Sequence, residues 1–127
     1  MNSWEHRCFA NDTGEDKICA TELHARENGQ ELVLYFARGK TGPVPLVAQG
    51  QVGEYREMTI RVDDLDPVPA DHCQKAFCYY EKEKSHQLIR QFKRGRIAQI
   101  LIEDQKSGVL FQTEITLMGF SAAFGMY

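Results

Sequence analysis

Ile97-Ala98-Gln99-Ile100-Leu101-Ile102-Glu103, then Asp104-Gln105-Lys106-Ser107-Gly108, then Val109-Leu110-Phe111-Gln112-Thr113-Glu114-Ile115-Thr116-Leu117, is the stretch that decides the fold. Two apolar-rich runs flank a polar connection, which is the pattern of a β-hairpin. In the second run Val109, Phe111, Thr113, Ile115 and Leu117 fall at alternate positions, with Gln112, Glu114 and Thr116 between them. Period two of this kind marks a strand with one buried and one wet face. The two strands are therefore expected over residues 97–103 and 109–120, with Phe111, Ile115 and Leu117 in a core.

Working outward, residues 57–63 alternate in the same way, with Met58, Ile60 and Val62 on one face. Glu27-Asn28-Gly29-Gln30 contains Asn-Gly, and both residues tolerate the positive φ of a type I′ turn, so residues 31–38 should pair back on 18–25. Residues 4–9 and 77–82 have strand character. Asn11-Asp12-Thr13-Gly14 and residues 64–71, with Pro67 and Pro69, read as turns, and residues 39–45 as a loop. Residues 45–49 read as a short edge strand, because Pro45 cannot donate to a ladder. One helix of one or two turns is expected. Ser85 would cap it, Leu88, Ile89 and Phe92 would form its apolar face, and Gly95 would end it behind Lys93, Arg94 and Arg96. About seven strands in so short a chain imply two packed sheets, so the fold class is all-β, a single domain over residues 1–127.

The 127 residues are one domain's worth, enough to bury roughly two thirds of the unfolded surface. With 43% hydrophobic and 26% charged residues, the composition excludes disorder and fibrous repeats. A net charge of −3 argues against nucleic acid or an anionic membrane as partner. The longest apolar run, residues 97–102, is broken by Gln99 and falls far short of the ~20 residues a spanning helix needs.

Cys8, Cys19, Cys73 and Cys78 form two sequence-local pairs, the arithmetic of a disulfide framework in an oxidising compartment. Bonding within each pair is favoured over the two crossed connectivities. Four buried thiols and a zinc site remain alternatives, although the ten residues between Cys8 and Cys19 suit zinc poorly. Met1-Asn2-Ser3-Trp4-Glu5 does not read as a secretory signal, so either the protein is cytosolic or Met1 stands in place of a removed signal, and the cysteines favour the second.

Trp4 followed by Cys8, then Cys19, the strand around Ile60, the close pair Cys73 and Cys78, Leu88 with Gly95 just before a strand, and the ending Leu117-Met118-Gly119-Phe120-Ser121-Ala122-Ala123 together resemble the invasion-associated locus B family. The family comprises small exported proteins of Gram-negative bacteria, and the resemblance spans residues 4–123. It implies an immunoglobulin-like two-sheet sandwich, an export signal and a periplasmic or surface location. It implies no reaction; the family name derives from host-cell invasion by some members. The chain departs from the pattern in its acidic approach to Cys73, through Asp63, Asp64, Asp66 and Asp71.

Gly39-Lys40-Thr41 mimics the end of a phosphate-binding loop, but Leu34 stands where the first glycine belongs and Gly42-Pro43 blocks a following helix. His6, His24, His72 and His86 are scattered, no Gly-x-Ser-x-Gly frames a serine, and neither cysteine pair is Cys-x-x-Cys. Asp63-Asp64-Leu65-Asp66 could offer oxygens to calcium, but a solvated turn is the plainer reading. Asn11-Asp12-Thr13 is a glycosylation sequon that matters only in a eukaryotic secretory route. Lys82, Lys84, Arg90, Lys93, Arg94 and Arg96 gather positive charge around the helix, and Arg90, Lys93 and Arg94 are the candidate patch for an acidic partner. The expectation is an exported protein acting by binding a protein partner at the envelope or host surface, with no catalytic, cofactor or metal residues. The alternative is a small periplasmic enzyme or redox protein with a non-local site.

Overall fold

The computed structural model describes residues 4–10, 17–27, 29–39, 42–43, 46–51, 53–106 and 108–125. The turn read at residues 11–14 and its sequon, Asn28, the Lys40-Thr41 pair and Pro45 lie outside them. In chain order the strands begin with β1 (Trp4–Ala10), β2 (Lys17–Glu27), β3 (Gln30–Gly39), β4 (Gly42–Pro43) and β5 (Leu46–Gln49). They continue with β6 (Tyr55–Val62), β7 (Val68–Pro69), β8 (His72–Gln74) and β9 (Phe77–Tyr80). The helix α1 (Lys82–Arg94) precedes β10 (Ile97–Asp104) and β11 (Gly108–Thr116), and α2 (Phe120–Phe124) follows them.

Every pairing is antiparallel. One sheet runs β1-β2-β3-β5-β9-β8 with β4 beside β3, and the other runs β11-β10-β6-β7. This is the all-β sandwich expected. Among the described strands, β4, β7 and β8 are not anticipated from the sequence, because they are pairings of two or three residues, too short to leave a periodic signal. Gly29 has φ +79°, the left-handed conformation the two-residue turn between β2 and β3 requires. Along the strands this turn joins, Leu23, Leu32, Leu34 and Phe36 face inward and are buried.

Met58, Ile60 and Val62 of β6 and Ala98, Ile100 and Ile102 of β10 supply the inner face of the second sheet. Phe111, Ile115 and Leu117 join them, as the alternation predicts. Val109 does not: it is 57% exposed. The register shifts beside Ile102, where Ile102 pairs Phe111 but Glu103 pairs Val109, so Leu110 is an extra residue and the phase of the strand reverses before it. The strand also ends at Thr116 rather than running to Phe120, which opens α2.

Two further expectations are corrected. Residues 46–49 are not an edge strand; β5 lies inside the sheet between β3 and β9, where its own backbone groups complete the ladder. Likewise β9 stops at Tyr80, and α1 begins at Lys82, more than three turns long. Ser85 does not cap it. Its buried hydroxyl donates to Tyr80 O (2.8 Å) and accepts from Leu46 N–H (2.8 Å), which fastens the helix to two strands. The start of the helix is held from ten residues away, where the Asp71 carboxylate accepts the Glu81 N–H at 2.7 Å.

The sandwich is closed by an aromatic cluster. Phe36 of the first sheet meets Phe92 of α1 and Phe120 of α2, each with ring centroids 5.1 Å away. Trp4 lies 5.0 Å from Phe120 and donates its indole N–H to Thr116 O at 3.0 Å, tying the first strand to the last. Tilted and edge-on ring pairs of this kind add ~0.5–1.5 kcal/mol each beyond their buried area. Cys8 bonds Cys19 across β1 and β2, and Cys73 bonds Cys78 across β8 and β9; each pair occupies directly opposed register positions. All four cysteines are therefore committed.

Candidate functional site

Where β6 ends, Asp63 takes a left-handed φ of +49° and turns the chain. Its carboxylate accepts the N–H groups of Arg96 (3.2 Å) and Ile97 (3.1 Å), so the turn is pinned to the start of β10. Gly95, at the end of α1, has an ordinary φ of −85°, and glycine is needed there for space. A Cβ would stand 2.3 Å from Val62 Cγ1 and 3.1 Å from Leu117 Cδ1. The helix end can therefore press onto β6 while the Asp63 turn stands away from it. Between them lies an open cleft of about 520 Å³ with Val62 and Leu65 as apolar lining.

Arg90 and Arg94 form one wall of this cleft, with Gln87 and Gln91 beside them. The arginines are four residues apart and so lie on one helix face. Both are exposed, and among the described residues neither forms an ion pair. Asp63 and Asp64 line the opposite wall, but the first is occupied with two backbone amides and the second sits 3.7 Å from Arg61. The Gln91 side-chain oxygen is buried without a hydrogen-bond partner among the described residues. The wall of α1 thus offers two uncommitted guanidinium groups above an apolar floor, an arrangement suited to a carboxylate or phosphate carried by a larger partner.

The remaining sequence candidates are dispersed. The Lys93 ammonium lies 5.3 Å from the Phe124 ring, on the α2 side, so the patch of three divides into Arg90 with Arg94 and Lys93 apart. Lys84 is paired with Asp71 at 3.3 Å and donates to Pro69 O. Of the described serines, Ser85 is locked in the core and Ser121 donates to Lys93 O at 3.4 Å. His72 stacks on Tyr79 and faces Glu81, and His86 is half-buried.

A second polar constellation has no local sequence signature because it spans three strands. On the outer face of β1, β2 and β3, both oxygens of Glu22 lie 2.9 Å from Arg7 Nη2, and Glu22 itself is only 2% exposed. His24 reaches Glu22 with Nε2 (3.5 Å) and Glu31 with Nδ1 (3.3 Å). Arg26 holds Glu31 at 3.0 Å, and together with His24 it draws the Glu31 carboxyl below its ordinary value. The Asn-Gly turn was the available signal, since its register sets Arg26 opposite Glu31.

The family model described as Invasion associated locus B (IalB) protein matches residues 4–126. Comparison with curated proteins and with solved structures gives no match.

Proposed function

The chain belongs to the invasion-associated locus B family, and from that premise we propose that it acts outside the reducing cytoplasm, in the periplasm or at the cell surface, by binding a partner rather than by catalysing a reaction. Two closed disulfides support the compartment, because such bonds persist where glutathione and thioredoxin do not reduce them. The observation that carries the binding reading is the pair Arg90 and Arg94, exposed at the rim of a cleft lined by Val62 and Leu65 and without an ion-pair partner among the described residues. The partner is an envelope or host-surface protein presenting an acidic group beside an apolar one, and nucleic acid is not among the ligands proposed. Host-cell invasion is the role to which the family name points.

The test is capture from envelope extracts by the disulfide-intact chain and by the double variant Arg90→Glu/Arg94→Glu. The wild type should retain a saturable partner, added salt should weaken it because exposed charges are screened within ~10 Å at 0.1 M, and the double variant should lose it while folding normally. Equal capture by both proteins at low salt removes the cleft as the binding site. A turnover abolished by a single substitution elsewhere overturns the non-enzymatic reading.

A further inference from the structure

Glu5 of β1 and Glu22 of β2 are register partners, and His24 lies two residues further along β2 on the same outer face. One ligand atom from each of the three falls within 4.8 Å of the others. Glu5 is exposed and can rotate so that all three atoms face one shared ion, which zinc would hold through bonds of ~2.0–2.2 Å to imidazole and carboxylate.

Two features distinguish this cluster from a scatter of surface charges. The Glu22 side chain is 3% exposed, so one carboxylate is built into the sheet. His24 is oriented from behind: Nδ1 lies 3.3 Å from Glu31 and Nε2 lies 3.5 Å from Glu22, so the tautomer that carries its proton on Nδ1 turns the Nε2 lone pair toward the site. A carboxylate behind a ligating imidazole is the usual support of a metal-bound histidine. Arg7 supplies the charge that Glu22 requires, and its side chain is 58% exposed and able to swing aside.

We propose that Glu5, Glu22 and His24 bind a divalent transition-metal ion of the zinc type, with Glu31 as the positioning residue behind His24 and Arg7 as the competing cation in the metal-free protein. The ion would sit between His24 Nε2 and the two carboxylates, and three protein ligands leave a fourth position to water. Imidazole and carboxylate together suit zinc better than magnesium or calcium, which take oxygen ligands.

Zinc chloride titrated calorimetrically into the untagged, disulfide-intact chain should saturate at one ion per chain. His24→Ala should abolish that site with an unchanged far-ultraviolet spectrum, and Glu5→Gln, at an exposed position, should abolish it as well and decides the matter if His24→Ala does not fold. Glu31→Gln should weaken binding by roughly 10- to 100-fold, and Arg7→Gln should tighten it by removing the competitor. Absence of saturable binding, or an affinity unchanged by His24→Ala and Glu5→Gln, overturns the site. An unchanged affinity in Glu31→Gln overturns the positioning role, and failure of Arg7→Gln to tighten binding overturns the competition.

Discussion

The inner face of β1–β3 presents Trp4, Leu23, Leu34 and Phe36 to the aromatic rings of α1 and α2, whereas alternate residues of the same strands set Glu5, Arg7, Glu22, His24 and Glu31 on the outer face. The inner contacts are non-directional and gain stability with every square ångström removed from water, about 25 cal/mol for each. The outer contacts are directional and mostly at the surface, where an ion pair is worth little to stability. A face of that second kind can be altered without unfolding the protein, which is what recognition needs. Because the period is two, a slip of one residue would exchange the two faces, so the hairpin turn at Gly29 fixes both at once.

The contrast between the faces is tested most sharply at Phe36, which is 1% exposed and touches Trp4, Phe92, Phe120 and Phe124. Phe36→Ala should cost about 3–5 kcal/mol in denaturant melts, and a loss under about 1 kcal/mol would mean that the faces are assigned the wrong way round. Next comes the covalent link at the edge of the same strands. Replacing Cys8 and Cys19 together with serine should cost about 2–3 kcal/mol in the chain-entropy account. A directional contact placed inside should behave like the inner face. Ser85→Ala strips the buried Leu46 N–H of its acceptor and should cost about 2 kcal/mol, measured by thermal or chemical unfolding.

The smallest effect belongs to the outer face and depends on pH. Glu31 has its carboxyl lowered in the folded chain by Arg26 and then His24, so its contribution is present above the unfolded value of ~4.3 and is lost as pH falls through the folded one. Glu31→Gln should therefore destabilise slightly at neutral pH and not at all near pH 2. Phe36→Ala should show the same loss throughout the range in which the fold persists. A Glu31→Gln effect that does not fade with acid would place its role in packing rather than in charge.

These contrasts also explain how much of the molecule is legible in its sequence. Alternation assigns the inward residues of β6 and most of β11, and the Asn-Gly turn fixes the pairing of β2 with β3. Val109 departs from the alternation because a single inserted residue, Leu110, reverses the phase without any mark in the sequence. The helix start leaves no local signal because Ser85 satisfies strand groups instead of helix amides, while Asp71 holds the Glu81 N–H from a distant turn. The central place of β5 depends on its neighbours β3 and β9, which no local pattern names. In the cleft, the arginines are visible from their helical spacing, but Lys93 falls away because α2, which replaces the end of the strand expected over residues 109–120, draws it to Phe124. The cluster of Glu5, Glu22 and His24 is invisible in the sequence, since neither strand alone carries a ligand set.

Both the binding role and the outer-face site presuppose a chain that works where disulfides endure. Protein recovered from the periplasm without reductant, alkylated at once and mapped by mass spectrometry, should yield the Cys8–Cys19 and Cys73–Cys78 peptides with no alkylated cysteine. Crossed pairs, or four alkylated thiols in that fraction, would contradict it.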